Sequence, residues 1–257
     1  MAHPRFYCST PIAPHSRYTL PDAVAHHASR ALRLRAGDTI VLFDGRGGEY
    51  AATLVFEGSR ALADVGDHVS REAELPGDVV LVQGLPGGDK MDWIIEKAVE
   101  LGVRRIVPVA AQRSIVQLNG ARLEKRQVHW QRVAISACEQ CGRNRVPDVA
   151  PVTSLRDWLA APFEGARVLC QPDAGTSLMA LVAHDGKAAP DATEPASGFA
   201  PQPLALLVGP EGSWSAEEAT LVQRAGVTPV RFGDRVLRTE TAGMAMLAAI
   251  SARRGWV

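Results

Sequence analysis

Two loop segments of this chain combine residue types that can hold a ligand and stabilise charge. The first lies in Leu206-Leu207-Val208-Gly209-Pro210-Glu211-Gly212-Ser213-Trp214-Ser215, where an apolar strand runs straight into Gly-Pro-Glu-Gly and then a Ser-initiated helix. In open α/β sheets ligands bind beyond the C-terminal ends of strands, and glycines there let the backbone approach closely. The second is Phe232-Gly233-Asp234-Arg235-Val236-Leu237-Arg238-Thr239-Glu240-Thr241-Ala242, unusually polar for a stretch that precedes an apolar helix. A plain turn and a salt-bridged helix cap are the structural alternatives. Two such loops at one edge of one sheet make the better case for a pocket, and Cys170-Gln171-Pro172-Asp173 ends a third strand there. No histidine follows His184, so neither C-terminal loop supplies an imidazole base. The charged groups available are Glu211, Arg235, Arg238 and Glu240.

Two further motifs are set aside. Cys138-Glu139-Gln140-Cys141 lacks the second Cys-x-x-Cys of a structural zinc site and falls inside an expected helix, away from a thiol-activating helix N-terminus; no metal is expected. Gly84-Leu85-Pro86-Gly87-Gly88-Asp89-Lys90 lacks the Gly-Lys-Ser/Thr ending of a phosphate loop, and Asp89 opposes phosphate.

The elements that must position these loops follow from periodicity. Residues 1–72 read as a small β-rich domain. Its features are a short strand at Arg5–Ser9, a helix over Asp22–Leu34, and strands at Thr39–Phe43 and Glu49–Phe56 joined by an Asp-Gly turn. From residue 76 strand and helix alternate. Strands are expected at Asp78–Gln83, Val103–Val109, Arg167–Cys170, Leu204–Val208 and Thr228–Phe232, and helices at Met91–Leu101, Arg122–Cys141, Ala216–Ala225 and Thr241–Arg253. That alternation implies a parallel sheet covered on both faces. Residues 183–203, rich in Ala and Pro, read as a surface insertion.

Composition narrows the setting. The 257 residues are 46% hydrophobic, with 28 basic and 28 acidic side chains, which argues against disorder. The apolar stretch Ala242–Ile250 is far short of the roughly 20 residues of a membrane span, so no membrane partner is expected. No secretory signal opens the chain, and four cysteines do not make a disulfide scaffold, so a reducing cytoplasm is the simplest compartment. Within the neutral total, residues 104–145 hold nine Arg and Lys against Glu124 and Glu139. That surplus fits either a solvated helix face or nucleic-acid contact.

In order and spacing, five elements resemble the bacterial ribosomal RNA small-subunit methyltransferase E family of the SPOUT (knotted) methyltransferases. They are His27 through Leu34 with Gly37-Asp38, then Lys90-Met91-Asp92 with Glu96 through Val103, then Glu139-Gln140 with Arg143, Arg145 and Pro147. Gly209-Pro210-Glu211-Gly212 and Leu237-Arg238-Thr239-Glu240-Thr241-Ala242 are the most specific, although Ser213-Trp214 departs from the family's Gly-Phe-like continuation. The resemblance implies a PUA-like β-barrel RNA-binding domain followed by an α/β SPOUT domain with a trefoil knot. It further implies S-adenosylmethionine (SAM) as cofactor, a homodimer, and methylation of uridine N3 in 16S rRNA. A SPOUT enzyme with another target, such as a ribose 2′-hydroxyl, and a non-catalytic RNA-binding protein remain the alternatives.

On that basis Gln171, Val208, Gly209, Pro210, Glu211, Gly212, Gly233, Val236 and Leu237 are expected to line the SAM site. Arg238 is expected to stabilise charge on the reacting base, positioned by Glu240. Arg5, Arg30, Arg33, Arg143 and Arg145 are candidates for RNA phosphates.

Overall fold

A computed structural model describes residues 3–58, 60–114, 120–184 and 202–257. Most of the expected insertion, 185–201, lies outside the described residues. The chain divides into two compact units. One comprises residues 1–74 and 135–146, the other 75–134 and 147–257. Residues 135–146, which periodicity places with the strand–helix repeat, thus fold with the N-terminal unit.

The first unit is built on a five-stranded sheet. Its elements are β1 (Arg5–Tyr7), β2 (Arg17–Thr19), α1 (Asp22–His26), β3 (Thr39–Phe43), β4 (Glu49–Glu57) and β5 (Arg60–Val69), in sheet order β1-β3-β4-β5-β2. The expected hairpin is present, β3 pairing antiparallel with β4, and Gly45, Gly47 and Gly48 in the turn all take positive φ. The expected helix is shorter than its pattern. After α1 the chain makes a π-helical turn at His27–Ala31, and Arg33 adopts φ 56°, a left-handed conformation rare outside glycine. Phe6, Ile40, Leu42, Leu54 and Ala63 are fully buried in this unit's core.

The second unit continues the order with β6 (Val79–Gly84), α2 (Lys90–Glu100), β7 (Arg105–Ala110) and α3 (Ala121–Cys141), whose residues from Ile135 belong to the first unit. There follow β8 (Asp148–Val149), β9 (Thr153–Ser154), α4 (Leu155–Ala160), β10 (Ala166–Cys170), α5 (Leu178–His184), β11 (Leu204–Val208), α6 (Ala216–Arg224), β12 (Thr228–Val230) and α7 (Thr239–Arg253). The strands form one parallel sheet, β12-β10-β11-β6-β7-β8, with β9 also on β7. All five residues of β11 are buried, the signature of a strand covered on both faces. Val82 and Leu207 face the cluster that holds Leu155 of α4 and Val222 of α6. On α7, Gly243 lies so close to the sheet that a Cβ there would sit 3.2 Å from Leu81 and 3.4 Å from Val208. No helix of the described residues is long and apolar enough to cross a membrane.

Candidate functional site

The site grows from the C-terminal ends of four strands. Parallel pairing sets β10, β11 and β6 side by side, so the loops that follow them open at one edge of the sheet. The β11 loop turns at Ser213, whose φ of 59° is the left-handed value that glycine adopts freely. It then enters α6 through a complete capping box. The Ser215 hydroxyl accepts from Glu218 N at 3.1 Å, and Ser215 N donates to Glu218 Oε2 at 2.9 Å.

A cavity of about 410 Å³ opens here, within the size range of small-molecule sites. Its walls come from Lys90 after β6, Cys170 and Pro172 at the end of β10, Val208 through Glu211 with Ser213 and Trp214 at the end of β11 and beyond it, and Val236 through Thr239 at the start of α7. Six of the nine cofactor candidates, Val208, Gly209, Pro210, Glu211, Val236 and Leu237, line it, as does Arg238. Gln171, Gly212 and Gly233 do not. Gln171 N donates to Val230 O, and a Cβ on Gly212 would lie 3.0 Å from Arg113. Gly233 serves its turn at φ 67°. A second cavity, about 330 Å³, lies near the starts of β6 and β7 beside Trp158 and Phe163 and carries none of these loops.

Charge in the cavity is organised by a residue that sequence reading left out. Lys90 Nζ lies 2.8 Å from Glu211 Oε1 and 3.4 Å from Glu240 Oε2. Burial alone would raise the Glu211 carboxyl, but the Lys90 hydrogen bond and the Gly87 N–H outweigh it and hold the carboxyl below its ordinary value. The Glu211 hydrogen bond in turn raises Lys90 above its own. The pair is therefore charged throughout the neutral range. It is lost only as pH falls through the depressed Glu211 value or climbs through the raised Lys90 value. Arg238, the N-cap of α7, is 82% exposed, and Glu240, its ion-pair partner among the described residues, stands 4.0 Å away, too far for a hydrogen bond.

Two glycines matter because of what approaches them. A Cβ on Gly84 would meet Pro210 N at 2.7 Å and Gly209 C at 3.1 Å, so the end of β6 buttresses the β11 loop. A Cβ on Gly209 would meet Trp214 Nε1 at 3.2 Å, so the indole lies against that peptide. The cavity accordingly offers an aromatic side chain (Trp214, whose buried indole N–H has no hydrogen-bond partner among the described residues), aliphatic walls (Val208, Leu237) and the Glu211 carboxylate. This set fits a cofactor with a flat heterocycle and a cationic sulfur.

The five arginine candidates separate into two groups. Arg143 is 3% exposed and makes a forked pair with Glu74, through Nε at 3.1 Å and Nη2 at 2.5 Å. Arg5 bonds Glu49 at 2.6 Å and Asn144 Oδ1 at 2.5 Å, and the fully buried Asn144 donates to Arg71 O at 2.7 Å. Burial would raise Glu49, but Arg5 and Asn144 outweigh it and lower the carboxyl. Nearby, Glu139 accepts from Tyr7 N at 2.9 Å, and burial raises its carboxyl. Arg5 and Arg143 are therefore paired inside the first unit, and a phosphate would have to compete with these pairs. Arg30, Arg33 and Arg145 are exposed, Arg145 with Glu72 at 3.2 Å.

Residues 73–251 match the RNA methyltransferase domain family, and residues 20–63 the RNA methyltransferase PUA domain. The ribosomal RNA small subunit methyltransferase E of Bacillus subtilis is 32% identical over 91% of this chain and 89% of its own length. The chain belongs to the ribosomal RNA small subunit methyltransferase E family. A Mycobacterium tuberculosis protein of the same name is also 32% identical, over 90% of this chain and 88% of its own. The crystal structure of the Neisseria gonorrhoeae family member bound to SAM superposes with a TM-score of 0.85, at 36% identity and 98% coverage of both chains. A Legionella pneumophila protein in complex with SAM gives 0.86, at 27% identity and the same coverage. The parallel-sheet domain of this family follows an N-terminal PUA domain, as expected from the sequence.

Proposed function

We propose that this protein transfers a methyl group from SAM to N3 of one uridine in 16S rRNA, as a cytoplasmic homodimer acting on RNA of the small ribosomal subunit, with a SPOUT-type trefoil knot. The 410 Å³ cavity walled by both glycine-bearing loops carries this reading, in a family with a SAM-bound member of the same fold. SAM, when bound, supplies an electrophilic methyl on a sulfonium. The protein's part is to hold it and to manage charge. Val208, Gly209, Pro210, Val236 and Leu237 form the slot, and Glu211, fixed by Lys90, places a carboxylate beside a cationic ligand. As N3 of the uracil gives up its proton to solvent water, negative charge builds on the flanking imide oxygens. We assign its stabilisation to the planar Arg238 fork at the rim, with Glu240 alongside.

RNA contact falls to Arg30, Arg33 and Arg145. The left-handed backbone of Arg33 beside a π-helical turn supports this assignment, since strained conformations cluster at functional sites. On α3, Arg122, Lys125 and Arg132 are exposed at helical spacing and add a basic stripe in the second unit.

Two substitutions are expected to give contrasting outcomes. Gly84→Ala forces the β11 loop outward, because its new methyl meets backbone. At an overpacking cost of about 1–3 kcal/mol, SAM affinity measured by calorimetry drops roughly 5- to 150-fold. Unchanged affinity in a folded variant refutes the buttress. The cysteines behave differently. Burial pushes the Cys138 thiol up to about 12, so it stays protonated at neutral pH. Cys138→Ala/Cys141→Ser therefore retains methylation. Stoichiometric zinc in the wild type, lost together with activity in that variant, contradicts the assignment.

A further inference from the structure

Gln83 has no role so far and Thr239 only that of a cavity wall, yet together they connect the two loops of the site. Gln83, next to last in β6, is completely buried. Its Nε2 donates to Gly84 O and to Thr239 Oγ1, both at 2.9 Å. Thr239 Oγ1 donates in turn to Gly209 O at 2.6 Å. A hydroxyl has one proton. With that proton on Gly209 O, the oxygen can only accept from Gln83, so the direction of the whole chain is set. Gln83 Oε1 remains buried without a partner. A buried amide with an unmet acceptor is costly, and a hydrophobic residue would serve packing alone better.

The positions joined are informative. Gly209 begins the β11 loop that walls the cavity, and Thr239 is the first residue of α7, between Arg238 and Glu240. We infer that Gln83 and Thr239 are positioning residues, a buried hydrogen-bonded strut that couples the cofactor loop to the placement of Arg238. The inference rests on the reading of this cavity as the SAM site. Through the strut, a shift of the Gly209 carbonyl moves the N-terminus of α7, and with it the guanidinium that faces the base. The strut thus makes occupancy of one loop felt by the other.

Isosteric substitutions test this. Thr239→Val keeps the shape and removes both bonds of the hydroxyl, Thr239→Ser keeps the hydroxyl, and Gln83→Met removes the bonds to Thr239 and Gly84 O while leaving the Thr239–Gly209 bond. Calorimetry first establishes that the wild type binds SAM. Absence of binding overturns the underlying reading, and with it the inference, before any variant is compared. Given binding, Thr239→Val lowers the single-turnover rate at saturating SAM and RNA by roughly 5- to 50-fold, the effect of one to two hydrogen bonds. Thr239→Ser recovers most of the rate. Gln83→Met shifts in the same direction, and the Gln83→Met/Thr239→Val double variant is no worse than Thr239→Val, because the two act as one unit. A strut that is merely structural would lower the unfolding midpoint and leave both the saturated rate and SAM affinity at wild-type values; that result overturns the coupling. So does a Thr239→Ser variant as slow as Thr239→Val. If Thr239→Val does not fold, Gln83→Met carries the same comparison.

Discussion

Arg238→Ala lowers the single-turnover methylation rate on the order of 100- to 1000-fold while leaving SAM affinity near the wild-type value. The expectation follows from where the side chain is. It stands at the N-cap of α7 on the rim of the cavity, 82% exposed, with Glu240 at 4.0 Å as its ion-pair partner among the described residues. A guanidinium so loosely tied contributes little to the fold, because exposed ion pairs are worth little, so its removal does not disturb the slot that binds SAM. Its value arises when a base enters over the cavity and charge develops on the imide oxygens. Arg238→Lys keeps the charge and loses the planar fork, so it recovers only part of the rate. Rates at saturating RNA separate chemistry from binding. A near-wild-type rate for Arg238→Ala would assign the residue to bracing the loop instead.

Arg143→Ala is expected to act on stability instead. The Arg143–Glu74 pair joins side chains that are 3% and 19% exposed. Removing one partner leaves a carboxylate in a poorly hydrated site, and breaking such a buried pair costs about 3–5 kcal/mol. For a unit of this size that corresponds to a fall of more than roughly 10 °C in its unfolding midpoint, read by calorimetry on the whole chain. Arg30→Ala and Arg33→Ala differ in kind. They leave the midpoint nearly unchanged while weakening RNA binding and flattening its salt dependence. An Arg143→Ala protein of wild-type stability with weakened RNA binding would restore the phosphate role to Arg143.

The contrast between these two arginines shows what was legible in the sequence. The hairpin between β3 and β4 is readable because Asp44 through Gly48 supply the turn chemistry locally. The strand–helix alternation is readable because each strand is a short apolar run bounded by its own stop signals. The Gly-Pro-Glu-Gly and Leu-Arg-Thr-Glu-Thr-Ala segments stand out because polar loops before apolar elements need a reason. β5 is harder to see. Asp64, Gly66 and Asp67 interrupt its alternation, and a Cβ on Gly66 would lie only 3.0 Å from Ala51 O, where the ladder with β4 shifts register. Arg143 looks like a solvated cation until the fold brings Glu74 to it across 69 residues. Lys90 and Gly84 sit in a stretch that resembles a poor phosphate loop. Only the packing of Gly84 against Pro210, and the Lys90 contacts to Glu211 and Glu240, reveal their place in the site. Local chemistry was visible; long-range pairing was not.

The atom that receives the methyl group can be read directly from the product. Small-subunit RNA from a strain lacking this protein, incubated with the purified enzyme and SAM, is digested to nucleosides and analysed by mass spectrometry. The account predicts 3-methyluridine, absent without enzyme or SAM and lost with Arg238→Ala at short times. A ribose-methylated nucleoside in its place, or no new methylation at all despite stoichiometric SAM binding, would contradict it.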